Sequence, residues 1–324
     1  MKPPCLYSRR QTGAALLLAM VIVALITTVA SGMVWLQTRA VQVEAADRAR
    51  AQASWILSGA LDWARLILRE DERGGRQRGA AYDALNEPWA TPLAEARLST
   101  FLAVDKDNNV DSGPEAFISG SIEDAQSRFN VRGLLDGAGK VVPAQVDALQ
   151  QLASRAGAPG DTAQRLAEGL RRAFAPVLGD DAATAPLRPS QRSDLQWLGI
   201  DPLTIERLAA WIDLLPVPTP VNANSAPREV LVAAIEGLDL GTAERMVQAR
   251  QRKPFETLAD VQAQLPGTLR VDAARVGVSS SWFEVSGRLR LEDRVLEERS
   301  LLQRDGEKVV VRRRERSSFS VAPR

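Results

Sequence analysis

Asp180 and Asp181 stand side by side between Gly179 and Pro186, and paired acids are what general acid–base or metal chemistry would be built from. No second motif at a defined spacing accompanies them. A calcium ion asks for about six to eight oxygens, usually from several carboxylates brought together, and here only two acids sit among Ala, Pro and Gly. They read as a solvated loop, and no metal ligand set is expected from them. Histidine is absent, which removes Ser-His-Asp chemistry, His-ligated zinc and the commonest general base. The single cysteine, Cys5, lies ahead of the first apolar run, so a chain trimmed there has no disulfide. Arg312, Arg313, Arg314 and Arg316 cluster, but Glu315 interrupts them at the end of a strand pattern, where charge guards a sheet edge. With 41 basic and 40 acidic residues the net charge is +1, so no global field calls for nucleic acid or an anionic surface. Nothing in this inventory acts on a substrate, and the chain is expected not to be an enzyme.

The element that organises the rest runs from Gly13 to Leu36, inside an uncharged span from Gln11 to Thr38. About 20 apolar residues cross a bilayer as a helix, and a single segment in lipid has no other way to satisfy its backbone. Lys2, Arg9 and Arg10 precede it, so residues 1–13 are expected in the cytoplasm and the remainder beyond the membrane. Two processing sites compete. Thr28-Val29-Ala30 has the small-x-small form of a signal-peptide cut, although the apolar run outlasts a usual signal. The other cut falls before the run, at Gly13-Ala14, directly after the basic leader. That second arrangement resembles the signal of type IV pilins and type II secretion pseudopilins, whose hydrophobic helix is retained.

Helical spacing continues past the apolar run. Ala49, Ala53, Ile56, Ala60, Trp63 and Ile67 form one row, with Leu57, Leu61, Ala64 and Leu68 beside it. The spacing predicts one helix from Ala14 to an end near Arg73-Gly74-Gly75, a rod of about 85–90 Å, with residues 14–36 in the membrane and 37–73 beyond it. Pro88 and Pro92 then imply a packed loop held by Trp89, and Phe117 to Ile122 a short strand. Residues 133–278 are rich in Ala, Leu, Gln and Arg and predict an all-α domain, with helices near 143–156, 161–174, 191–199, 203–214, 227–236, 241–251 and 257–264. Trp282 to Leu291 alternates, and strands over 294–304 and 307–313 meet at Asp305-Gly306, a hairpin signal. These strands need an apolar partner, and the second half of the long helix supplies one. The fold expected is α+β: a long N-terminal helix on an antiparallel sheet (74–132 with 279–316), an all-α block inserted at 133–278, and a frayed tail at 317–324.

Four stretches carry a family resemblance over nearly the whole length. They are the leader ending at Gly13 with its helix, Glu87-Pro88-Trp89-Ala90, Ile122-Glu123-Asp124-Ala125-Gln126-Ser127-Arg128-Phe129-Asn130, and Pro220-Val221-Asn222-Ala223-Asn224-Ser225-Ala226-Pro227. Together they resemble the K-class minor pseudopilins of type II secretion systems. The resemblance implies a pilin-like fold with a SAM/helix-hairpin-helix-like inserted domain, and cleavage between Gly13 and Ala14 by a prepilin peptidase. It further implies a single-pass inner-membrane protein with a periplasmic head. The head would stand at the pseudopilus tip with the I and J minor pseudopilins, on the major pseudopilin below, initiating or capping assembly for export of folded proteins across the outer membrane. The motif residues it marks are Pro88, Trp89, Asp124, Arg128, Phe129, Asn130, Asn222, Asn224, Ala226 and Pro227. Counting from Ala14, the fifth position is Leu18, where most pilins carry Glu; a buried carboxylate is retained in lipid only when paired, so a subunit without it asks for no neighbour above. Relatives commonly bind calcium in the inserted domain, but this chain offers only Asp180 and Asp181 there.

The alternative is a membrane-anchored helix-hairpin-helix DNA-binding protein. Val221-Asn222-Ala223-Asn224, Gly237-Leu238-Asp239-Leu240-Gly241, Ala249-Arg250 and Pro254 to Leu258 are similar to such modules, which hold phosphate at a glycine hairpin before a helix. Here the hairpin is one residue too long and Glu236 and Asp239 oppose an anion, so nucleic acid is not expected as a partner.

Overall fold

A computed structural model of the chain describes residues 12–79, 81–98, 116–175, 186–291 and 294–320. Helix α1 is continuous over Thr12–Arg78. It passes through Gly74 and Gly75 instead of stopping there, although each interior glycine costs about 1 kcal/mol relative to alanine. The last turns are held within the helix by Arg73 with Glu70 and Arg76 with Glu72, and from outside by Glu307, which also pairs with Arg73. Gly79, at φ +72°, then takes the left-handed conformation that ends a helix.

The chain divides into two compact units at Ile56 and Leu57. In the first, α1 presents its large apolar side chains outward, from Leu16 through Leu36. Thr27 and Thr28 turn their hydroxyls back onto the carbonyls of Val23 and Ala24, so these two hydroxyls ask nothing polar of their surroundings. By length and composition this helix can cross a membrane.

The second unit holds a five-stranded antiparallel sheet in the order β1-β2-β7-β8-β9, with β1 Leu93–Arg97, β2 Ala116–Asp124, β7 Trp282–Leu291, β8 Arg294–Asp305 and β9 Lys308–Ser320. Leu61, Ala64 and Leu68 of α1 pack on Trp89, Phe283, Val285, Leu302 and Val309. Gly287 lets Leu57 approach: an added Cβ would lie 3.1 Å from Leu57 Cδ2. The helix row facing the sheet is therefore Leu57, Leu61, Ala64 and Leu68. Trp63, placed in the buried row by its spacing, is 58% exposed. Leu57 closes onto the Gly120–Gly287 rung of the sheet.

Several boundaries move. The segment around Trp89 contributes an edge strand, β1, as well as a loop. The tail does not fray at 317, because Ser317–Ser320 pair with Arg294–Glu297. The β8–β9 turn is Gly306-Glu307, one residue later than expected, with Gly306 at φ +57°. Between β2 and β7 lie the helices Pro143–Arg155, Thr162–Phe174, Pro202–Leu208, Arg228–Ala234, Leu240–Arg252 and Leu258–Ala263, plus a 3-10 segment Arg192–Leu198. They share one core running from Leu134 and Leu149 to Met246 and Val276. That block is not purely helical. β3 (Phe129–Asn130) pairs in parallel with β4 (Ile212–Asp213), and β5 (Val221–Asn222) with β6 (Val276–Gly277). Phe129 and Val131, assigned by sequence to the sheet part, pack in the helical core, and the helix expected over 203–214 stops at Leu208 so that Ile212 can pair.

Candidate functional site

The motif residues converge where the sheet meets the helical block. β2 ends at Asp124, whose carboxylate is buried and takes four hydrogen bonds from neutral donors. Oδ1 accepts from the Gln126 amide (2.8 Å), while Oδ2 accepts from Asn222 Nδ2 (2.8 Å), Ser225 Oγ (2.5 Å) and Ser280 Oγ (2.7 Å). Burial pushes the Asp124 carboxyl above the usual carboxylate range, against the opposing pull of Ser225, Ser280, Asn222 and the Gln126 amide. One carboxylate thus gathers the end of β2, the Asn222–Ser225 turn and the approach to β7.

Asn222 is the hub on the other side. Its Nδ2 reaches the Asp83 carbonyl (2.9 Å), Asp124 and Ser280 Oγ (3.1 Å), and its Oδ1 accepts from the Asn224 amide (2.9 Å). Asn224 in turn clips the segment at Phe255, donating to its carbonyl and accepting from its amide, each at 2.8 Å. Arg250 lies behind this turn and donates to the carbonyls of Ala223 and Ala226 at 2.6 Å. With no carboxylate beside it, burial lowers its pKa to about 10. Ala226 is fully buried, and Pro227 opens the helix Arg228–Ala234 by accepting from the amides of Val230 and Leu231.

A second layer ties this turn to the sheet and to α1. Arg304, on β8, donates to Asp83 Oδ1 (2.5 Å), Asp71 Oδ2 (3.0 Å) and the Ser280 carbonyl (2.9 Å), and lies 4.8 Å over the Phe283 ring. Trp89 meets Phe283 edge-on at 5.3 Å and donates its indole N–H to Glu87 (3.0 Å). Pro88 starts the short 3-10 turn that seats Trp89. Asn130 satisfies all its polar valences, donating to the Val217 carbonyl and Thr219 Oγ1 and accepting from the amides of Arg132 and Leu215. Arg128 joins Glu123 (2.6 Å) to Asp213 and Glu284, at 3.6 and 3.5 Å.

Sequence reasoning singled out Trp89, Asp124, Asn130, Asn222 and Asn224, and all fall in this seam. It passed over Asp83, Ser280 and Arg304. Strand parity held the signal for Arg304, which shares the face of Leu302 two residues before it. Gly13 lies within α1, while Ala14 and Leu18 are exposed on it. Asp180 and Asp181 fall outside the described residues. A cluster of Asp71, Asp83 and Glu87 has the spacing of a metal site, but the Arg304 guanidinium already occupies two of its carboxylates. At the supposed phosphate hairpin Asp239 caps Thr242 through its amide (2.9 Å) and hydroxyl (2.6 Å), so a carboxylate stands where an anion would sit. Arg245 stands beside that hairpin but donates to Thr242 Oγ1 (2.6 Å), and Arg250 points inward onto the carbonyls of Ala223 and Ala226.

Residues 221–279 match the family described as type II secretion system (T2SS), protein K. A type II secretion system protein K of Pseudomonas aeruginosa is 30% identical over 305 residues, covering 88% of this chain and 86% of that protein. The chain belongs to the type II secretion system protein K family. A protein K of Pectobacterium carotovorum is 29% identical and covers 96% of this chain and 98% of its own length. The fold matches one chain of the crystal structure of the GspK-GspI-GspJ complex from enterotoxigenic Escherichia coli, with a TM-score of 0.60 at 19% identity over 84% of this chain and 98% of that one. Protein K is a minor pseudopilin component of the secretion system. Nothing in these comparisons supports the DNA-binding alternative.

Proposed function

We propose that this chain is the tip subunit of a type II secretion pseudopilus, and that it works by assembly and not by catalysis. Prepilin peptidase cuts between Gly13 and Ala14, α1 stays in the inner membrane, and the unit from Leu57 onward stands in the periplasm. The crystallised relative was solved together with GspI and GspJ, and this chain takes the corresponding I and J pseudopilins as partners, with the major pseudopilin below. The observation that carries this reading is the uncharged helix beginning at Ala14 with Leu18 at its fifth position, continuous with the helix that enters the head. Leu18 carries no charge for a subunit above to neutralise, which suits an end position.

Edman sequencing of the membrane-bound mature protein tests the reading. Ala14 as first residue supports it. Ser31, from the cut after Ala30, or an intact Met1 refutes it. Gly13→Leu should leave the leader attached and abolish secretion, and normal processing in that variant would also overturn the assignment.

A further inference from the structure

Among the described residues, carboxylates outnumber cations around Asp83. Around Asp83 the charged neighbours are Asp71 and Glu72 on α1, Glu87 on the following turn, Asp124 on β2 and Arg304 on β8. Arg304 is shared among Asp71, Glu72 and Asp83, and Arg76 neutralises Glu72 from outside. Among the described residues Asp124 is held by neutral donors and pairs with no cation. Carboxylates taken out of water without matching cations bind protons more readily than they do in solution.

Ser280 joins the two buried aspartates: its amide donates to Asp83 Oδ2 and its hydroxyl to Asp124 Oδ2, both at 2.7 Å. We propose that Asp83 and Asp124, linked through Ser280, act as one proton-binding unit, a pH-responsive lock that holds sheet and helical block more firmly in mildly acidic solution than at neutral pH. The geometry says where the proton goes. Asp83 is held by Arg304 and a backbone amide, which can only donate. Asp124 is held partly by the hydroxyls of Ser225 and Ser280, and a hydroxyl can reverse to accept. The Asn222 carbonyl stands 3.5 Å from Ser225 Oγ to take the redirected hydrogen. The two sites titrate together, and Asp124 is the better host.

The sign follows from burial. It pushes Asp83 up to about 6 despite Arg304 and the Ser280 amide, and pushes Asp124 up as well. The folded chain therefore keeps a proton that the unfolded chain releases near the ordinary carboxylate value of about 4. Stability from this unit is present below that value and is lost as pH rises toward 6. Asp194, Asp239 and Asp260, held low by their capping bonds, act with the opposite sign, at and below their ordinary range.

The test uses the full chain in detergent micelles with 13C-carboxyl-labelled aspartate, which leaves the glutamates silent. A protonated aspartate band in the infrared at pH 5 that vanishes by pH 7.5, and is missing from Asp124→Asn, is expected. The unfolding constant should rise by up to about tenfold per pH unit between pH 4.5 and 6, the signature of one proton, and this slope should flatten in Asp124→Asn. No such band in the wild type, its survival in both Asp83→Asn and Asp124→Asn, or a flat unfolding constant across that window would overturn the proposal.

Discussion

Replacing Asn222 with alanine removes the side chain on which the seam converges. Its amide nitrogen has two hydrogens for three acceptors, so the Asp83 carbonyl, Asp124 Oδ2 and Ser280 Oγ share them. Its oxygen holds the Asn224 amide. Asp124 keeps both serine hydroxyls in the variant, so its loss is partial, whereas the Asp83 carbonyl and the Asn224 amide are left buried without these partners. At about 1–3 kcal/mol for each orphaned buried group, a loss of about 4 kcal/mol is expected. For a unit of this size that lowers the melting temperature by roughly 10 °C. Near-ultraviolet circular dichroism of the full chain in micelles reads it, because Trp89 and Trp282 are buried nearby. Asn222→Asp should be worse at pH 7.5 than at pH 5, since it sets a second carboxylate against Asp124. A melting temperature within about 2 °C of wild type for Asn222→Ala would show that the hub is dispensable and that the motif earns its place some other way.

Three further outcomes are expected in the same assay. Trp89→Ala opens a cavity against Phe283 and Leu68 and should cost about 3–5 kcal/mol, whereas Trp89→Phe keeps a ring there and loses mainly the bond to Glu87. Gly120→Ala places a Cβ 2.7 Å from the Ser286 carbonyl, on backbone that cannot swing aside, and should cost about 1–3 kcal/mol; Gly133→Ala, into open space, should fall well short of that. Arg250→Met strips the carbonyls of Ala223 and Ala226 of a charged donor and should cost about 2–3 kcal/mol, and equal stability of Arg250→Met and wild type would refute the pinning role.

The broad architecture could be read from the sequence because its signals are local. An uncharged run, a helical row beside it and alternating strands each announce themselves within a dozen residues. The seam was half legible. Asp124, Asn222 and Asn224 stand in motifs whose residue types are costly to bury, which marks them as paired. Asp83 gave no such signal and Arg304 only its strand parity with Leu302, because an aspartate after a helix and an arginine near a hairpin are normally solvated. Only the register of β7 on β8 and the closing of α1 against them turn both inward. Two parallel pairings, Phe129–Asn130 with Ile212–Asp213 and Val221–Asn222 with Val276–Gly277, were beyond sequence reading, since a two-residue ladder has no periodicity. Which of the two neighbouring helix rows faces the sheet depended on partners far away in the chain, among them Gly287, against which Leu57 closes.

The chain leaves the sheet at Asp124 and rejoins it at Trp282, and Asp124 is the rung partner of the next residue, Phe283. The intervening helices are therefore a cassette plugged into neighbouring sockets. Its length and shape can drift among related proteins without rethreading a single strand, as long as both prongs arrive side by side. What a grafted replacement must reproduce is the plug itself: an amide and two hydroxyls to meet Asp124, and a backbone amide for Asp83. A substitute lacking them would leave a charged socket gaping at the end of the sheet.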